Sequence, residues 1–202
     1  MKKKITLLVA VIGCGIHFSL YSQETGATVE FGLGRTAFEE TATFTGPLNG
    51  DLASFYRFGI TLRRTPARGD FFYTTGLLYN TRQEGLQHLL QVPLEFHFFT
   101  GQRLKLILGG GVYGRYLLSY DNKSELGWTS GIHYWQFGCS VDAGLGFPLT
   151  ERLELDVVFK QNFDLTPLYS TNYRTVTDLK GYDGFFSFSL YYQLFSENQE
   201  KQ

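Results

Sequence analysis

Methionine occurs once in 202 residues, cysteine twice and proline five times, and neither charge sign is in surplus. Each scarcity removes a class of protein. With 18 Lys+Arg against 19 Asp+Glu the formal net charge is −1, so the basic surplus or stripe of a nucleic-acid binder is missing. Few prolines beside 19 Phe and 13 Tyr argue against disorder. No apolar run approaches the ~20 residues of a membrane-crossing helix, and the mean hydropathy is −0.13. The length suits one domain rather than two. What is abundant is aromatic residues, at 17%, and glycine, at 23 residues. That richness without high hydropathy needs a positional explanation.

The N-terminus reads as an export signal. Lys2, Lys3 and Lys4 form a charged start, Ile5 to Gly13 a short apolar stretch, and polar Ser19 and Ser22 follow. The expected cleavage lies between Ser22 and Gln23, dividing the chain into a signal peptide, 1–22, and a single mature domain, 23–202. Val11-Ile12-Gly13-Cys14 loosely matches a lipobox, which makes a lipid anchor at Cys14 the alternative. Apolar sequence continuing from Ile16 to Tyr21 speaks against it. Cleavage takes three lysines and no acid, moving the net charge from −1 to −4, and leaves Cys139 as the one cysteine. An exported chain with a single Cys has no internal disulfide, so packing and backbone pairing must hold it together.

From residue 26 onward the hydrophobic period is two, the strand signature, with no sustained period of 3.6. Leu90, Val92, Leu94, Phe96 and Phe98 share one face, and Gln91, Pro93, Glu95 and His97 the other. Phe186, Phe188, Leu190, Tyr192 and Leu194 alternate with polar residues in the same way. The same test predicts eight strands, near 27–37, 53–64, 70–81, 86–99, 102–119, 131–148, 152–164 and 184–196. Each has at least the ~9–11 residues that a tilted strand needs to cross a bilayer. Pro93 forfeits a ladder hydrogen bond and predicts a bulge or an edge-like site. The connections 65–69, 100–101 and 149–151 are tight turns, whereas 38–52, 120–130 and 165–183 are long and 82–85 is short. Tight turns on one side and mostly longer loops on the other are the pattern of an outer-membrane barrel. The longer side is acidic, carrying Glu39, Glu40, Asp51, Asp121, Glu125, Asp164, Asp178 and Asp183 against Lys123, Arg174 and Lys180.

Alternation alone does not say which face meets lipid, since a soluble ligand-binding barrel has the same pattern turned inside out. Aromatics near strand ends favour apolar-outside: Tyr56, Phe71, Tyr73, Phe98, Tyr116, Tyr120, Trp135, Phe147 and Tyr192 would form interfacial girdles. Glycines fall on the opposite, inner parity, where a narrow barrel needs small residues beside large ones. The polar parity also carries both charge signs: Glu30, Glu95, Asp142, Glu154 and Asp156 against Arg57, Lys105, Arg115 and Lys160, with His97 a hydrogen-bonding residue near the periplasmic rim. These ten residues are the expected polar cluster of the lumen, and inward parity on adjacent strands suggests a Glu95–Arg115 pair.

On these residues the chain resembles the PorT-like outer-membrane β-barrel family of Gram-negative Bacteroidota. The matching elements are Val92-Pro93-Leu94-Glu95-Phe96, the Gly-rich strand Ile107 to Leu117, Phe137-Gly138 with Gly144-Leu145-Gly146-Phe147, and Leu153 to Leu168. The sequence departs from the family at Gly109-Gly110-Gly111, where a Gly-Pro pair is common, and at the polar tail after Phe195. The resemblance implies an eight-stranded antiparallel transmembrane barrel in the outer membrane; an accessory part in protein export is suggested only by the family name.

No nucleotide loop, Cys/His metal motif or HExxH helix is present, and no catalytic, cofactor-binding or metal-binding residue is assigned. A lipid A-modifying barrel enzyme is the rival reading, since Ser130 or Ser119 with His133 could supply a nucleophile and a base. No acidic orienter is evident, and His133 shares parity with lipid-facing Trp135 and Phe137. His88 and His133 are expected at the interface, and Cys139 as a small lipid-facing residue. The expected protein is a monomer with a side-chain-filled lumen. It would contact outer-membrane lipid and, through 38–52 and 165–183, an extracellular or envelope protein.

Overall fold

In the computed structural model of the protein the described residues are 22–41, 53–66, 70–82, 87–101, 103–120, 133–167, 169–171 and 177–196. They form β1 (Ser22–Thr41), β2 (Ala53–Pro66), β3 (Phe71–Arg82), β4 (Gln87–Thr100), β5 (Lys105–Tyr120), β6 (Trp135–Pro148), β7 (Leu153–Asp164), β8 (Tyr169–Thr171) and β9 (Thr177–Ser196). Sequence neighbours pair antiparallel from β1 to β7, β7 pairs with β9, and β9 returns to β1. Eight strands thus close a barrel, which leaves no long unpaired edge in the wall. β8 is a three-residue addition that pairs only with the start of β9, from Tyr169↔Leu179 to Thr171↔Thr177.

The two-residue period sets the walls. In β7 every second residue, Glu154, Asp156, Val158, Lys160, Asn162 and Asp164, is buried inward. Across the described residues 30 large apolar side chains are exposed and ten are buried, the reverse of a water-soluble domain. Phe96, Phe98, Phe188, Leu190 and Tyr192 all face outward. Among the described residues no helix is long and apolar enough to cross a membrane.

β1 and β9 run farther than the alternation indicates. Their pairing continues through Phe38↔Gly181 and Glu39↔Lys180 to Thr41↔Asp178, within segments expected to be loop. Apolar alternation marks a strand only where its two faces meet different surroundings, and a ribbon extending past the closed wall has no such requirement. Pro93 likewise departs from expectation. It sits inward in an interior strand, paired with Tyr113 of β5, without a bulge. The accommodation is on its other side, where the β3 ladder stops at Thr75↔Leu94 and resumes in the same register at Leu78↔Gln91. The irregularity in β4 lies instead between His88 and Leu89.

Glycine lets neighbouring strands approach. A Cβ on inward-facing Gly111 would lie 2.2 Å from the Leu94 carbonyl oxygen and 2.6 Å from the Glu95 Cα. Gly111→Val is expected to destabilise the barrel by about 1–3 kcal/mol, read as a lower urea midpoint for the folded form. The turn at the other end of β4 uses Gly101 at φ 103°, a conformation that residues with a side chain rarely adopt. At the β6–β7 turn the Thr150 hydroxyl accepts from the backbone N–H groups of Arg152, at 3.3 Å, and Leu153, at 3.1 Å.

Candidate functional site

Among the described residues charged side chains concentrate away from water in the lumen, and its polar groups fall into three layers. At the loop end of the barrel, two arginines and two aspartates alternate in a ring. Arg82 closes β3, Arg115 projects from β5, Asp164 closes β7, and Asp183 projects from β9. Asp183 Oδ1 accepts from Arg82 Nε at 2.8 Å and from the Thr36 hydroxyl at 2.8 Å. Its Oδ2 accepts from Arg82 Nη2 at 2.7 Å and Arg115 Nη2 at 2.6 Å. Asp164 accepts from Arg82 Nη1 at 2.8 Å, Arg115 Nη1 at 2.9 Å and the Tyr113 hydroxyl at 2.7 Å. All four charged side chains have 0% exposure. Desolvating them is costly, and only this complete pairing offsets that cost.

This ring revises the sequence reading twice. Asp164 and Asp183 belong to the lumen, not to an acidic loop surface. Arg115 pairs with them rather than with Glu95: in the ladder Arg115 stands opposite Gln91, and Glu95, four residues along β4, stands opposite Gly111. Arg82 and Arg63 are also lumenal and were not among the expected residues. Arg82 sits in the polar run Thr81-Arg82-Gln83-Glu84, which reads as a turn, and Arg63 stands beside a second arginine, so alternation marks neither.

The middle layer is joined to the ring through Gln91, whose Oε1 accepts from Arg115 Nε at 2.7 Å, Arg57 Nη2 at 2.9 Å and Asn80 Nδ2 at 2.9 Å. Arg57 also donates to Asn80 Oδ1 at 2.9 Å and to Glu30 at 3.1 Å, with its guanidinium 4.5 Å from the Phe185 ring centre. Lys160 donates to Glu95 at 2.8 Å and lies 3.8 Å from Glu30. His97 stacks on Phe72, with its Nε2 3.2 Å from an Asp142 oxygen and 3.9 Å from Glu95.

In the layer at the turn end, Arg63 donates to Glu154 at 2.9 Å and Asp156 at 3.2 Å, held between the rings of Phe72 and Tyr191. Lys105 also pairs with Glu154. This layer opens on a cavity of about 200 Å³, with Glu24, Glu151 and Arg152 at its rim. Glu30, Arg57, Glu95, His97, Arg115, Asp142, Glu154, Asp156 and Lys160 are buried in the lumen, and Lys105 is half-buried there.

The residues considered for catalysis are arranged differently. Ser119 is exposed near the loop end of β5, in register with His88. His88 hydrogen-bonds the Tyr79 hydroxyl on the outer surface, and His133 is exposed just before β6. Cys139 is a free thiol on the outward face of β6. Ser130, Gln23's side chain, the lipobox at Cys14 and residues 1–21 of the expected signal peptide lie outside what is described; Ser22 begins β1.

No protein-family model matches the chain, and no curated protein matches it. Solved structures do. The Ail attachment invasion locus protein of Yersinia pestis aligns over 86% of this chain and 99% of its own, at 12% identity and a TM-score of 0.41. A de novo designed transmembrane β-barrel aligns over 87% and 100%, at 12% identity and a TM-score of 0.41. The Neisserial surface protein A, NspA, aligns over 81% of this chain and 96% of its own, at 12% identity and a TM-score of 0.51. With its outward apolar wall and its polar, filled lumen, the chain therefore has the fold of the eight-stranded outer-membrane β-barrels.

Proposed function

We infer that this protein resides in the outer membrane as a monomeric barrel with a structural lumen, and that it acts by binding through its loop end. The observation that carries this reading is the fully paired Arg82–Asp183–Arg115–Asp164 ring, joining β3, β5, β7 and β9 across the interior. An eight-stranded barrel is just wide enough for side chains to fill, and a lumen closed in this way leaves the loops as the surface free to work. The loop end would face outward and the tight turns the periplasm. The ribbon of β1, β9 and β8 beyond the wall puts parts of 38–52 and 165–183 on a stiff support, the arrangement expected for contact with an envelope or extracellular protein. The Val92-to-Phe96 and Gly-rich β5 motifs support the PorT-like family as the finer reading. The proposed role is non-enzymatic.

Four measurements test this. The mature protein is expected in the outer-membrane fraction, migrating faster on gels before boiling than after, and to add no stepwise conductance to a planar bilayer. A freely soluble, heat-insensitive protein, or one with a steady open channel, contradicts the reading. Lipid A from cells with and without the gene is expected to have the same mass, and a difference would replace binding with enzymatic modification.

A further inference from the structure

Charge is balanced in two of the three lumen layers. The ring at the loop end sets Arg82 and Arg115 against Asp164 and Asp183, and the layer at the turn end sets Arg63 and Lys105 against Glu154 and Asp156. The middle layer is not balanced. Glu30, Glu95 and Asp142 face Arg57, Lys160 and the imidazole of His97, so three carboxylates share two permanently charged cations. The deficit centres on Asp142, whose side chain has 0% exposure while neither carboxylate oxygen has a hydrogen-bond partner. The adjacent His97 is also buried, and its Nδ1 has no partner. A buried carboxylate left this way is costly unless a cation meets it.

We propose that His97, Asp142 and Glu95 form a lumenal binding site for a divalent metal ion of the zinc type. One imidazole nitrogen and two carboxylates are a donor set that suits zinc and its transition-metal neighbours. Donor atoms from all three residues lie within 4.8 Å of one another. Bonds of about 2.0–2.1 Å in a tetrahedron put ligand atoms roughly 3.3–3.5 Å apart; the His97 Nε2–Asp142 Oδ2 distance of 3.2 Å is close to that spacing, and the Glu95 carboxylate is near the same nitrogen, with its Oε2 3.9 Å away. Glu95 can keep Lys160 on Oε2 while its Oε1, which accepts only a long 3.4 Å bond from Ser140, turns to the metal.

The wall is shaped for the site. A Cβ at Gly109 would lie 2.3 Å from the His97 ring and 2.7 Å from Asp142 Oδ1, so glycine there is what lets the two meet. A cavity of about 30 Å³, lined in part by His97, Thr74 and Lys160, adjoins it. That is room for one water as a further ligand. Entry would be from the turn end, past Arg63, which lines both this cavity and the larger one.

The test uses the mature barrel folded in detergent, equilibrated with zinc chloride, desalted and analysed for metal. Wild type is expected to retain about one zinc per folded chain, and cobalt in its place to give a visible absorption band. His97→Ala and Asp142→Asn are expected to fall to background, whereas His88→Ala and His133→Ala, outside the lumen, keep the ion. His97→Gln provides a loss-of-binding variant of similar size if alanine prevents folding, and gel migration before boiling reports the fold of each. Folded wild type that retains neither zinc nor cobalt overturns the site, and would mean that a proton fills the deficit. Retention undiminished in folded His97 variants also overturns it.

Discussion

Asp183→Ala is expected to cost the barrel about 3–5 kcal/mol, the penalty for breaking a buried ion pair and leaving its partner charged. The reason is local and specific. Asp183 accepts four hydrogen bonds, from Arg82 twice, from Arg115 and from Thr36, so its loss leaves two guanidinium groups with 0% exposure sharing the single carboxylate of Asp164. Unfolding by urea in phospholipid vesicles, followed by tryptophan fluorescence, measures the loss. Trp135 on the outward face of β6 lies where the signal changes on leaving lipid. The double variant Arg82→Met with Asp183→Ala should recover part of the loss, because Arg115 and Asp164 still pair and only one charge of each sign is gone. An Asp183→Ala barrel with the wild-type urea midpoint would show that the ring contributes nothing to stability.

The second large effect tests the outward face. Ile60 is 60% exposed in the middle of β2, flanked in register by Val29 and Leu77. In a bilayer Ile60→Arg should cost about 2–4 kcal/mol, the depth-dependent price of a cation near the midplane. The same substitution at Phe98, 67% exposed and two residues from the end of β4, should cost no more than about 1 kcal/mol, because the side chain reaches the interface. The contrast between the two positions is the diagnostic. In a water-soluble barrel both arginines would sit in solvent and neither would matter. Equal, negligible effects would therefore refute the membrane-facing assignment without any appeal to fractionation.

Much of the architecture was legible in the residues. A strand whose two faces meet different solvents must alternate, and Leu90 to Phe98 or Phe186 to Leu194 do so without interruption. The number of barrel strands and the two faces of each follow from that local rule, and the aromatics near strand ends, set against glycines and mixed charges on the other parity, marked the inward side. The rule weakens where its cause does. Past the regularly alternating wall, Phe38–Thr41 and Thr177–Asp183 lie in strands that no alternating pattern announces, and Asp183 reads in sequence as a loop acid.

The opening scarcity of hydropathy also has its explanation. Half of each wall faces outward and carries the aromatics, while the other half lines a crowded lumen of charge and glycine that lowers the average. By itself the sequence determined the barrel and, within the regularly alternating stretches, which side chains enter it, because a two-residue period is written in neighbouring residues; Arg63, Arg82, Asp164 and Asp183 entered the lumen without such a pattern. Only the tertiary structure decided which of those charges meet. Arg82 and Asp183 are 101 residues apart, and Thr36 and Asp183 are 147 apart. Their meeting depends on strand register, tilt and the closure of β1 on β9, none of which any local pattern encodes. The curved wall paired Arg115 with Asp164 rather than Glu95, and the register of β4, β5 and β6 brought His97 and Asp142 together over Gly109.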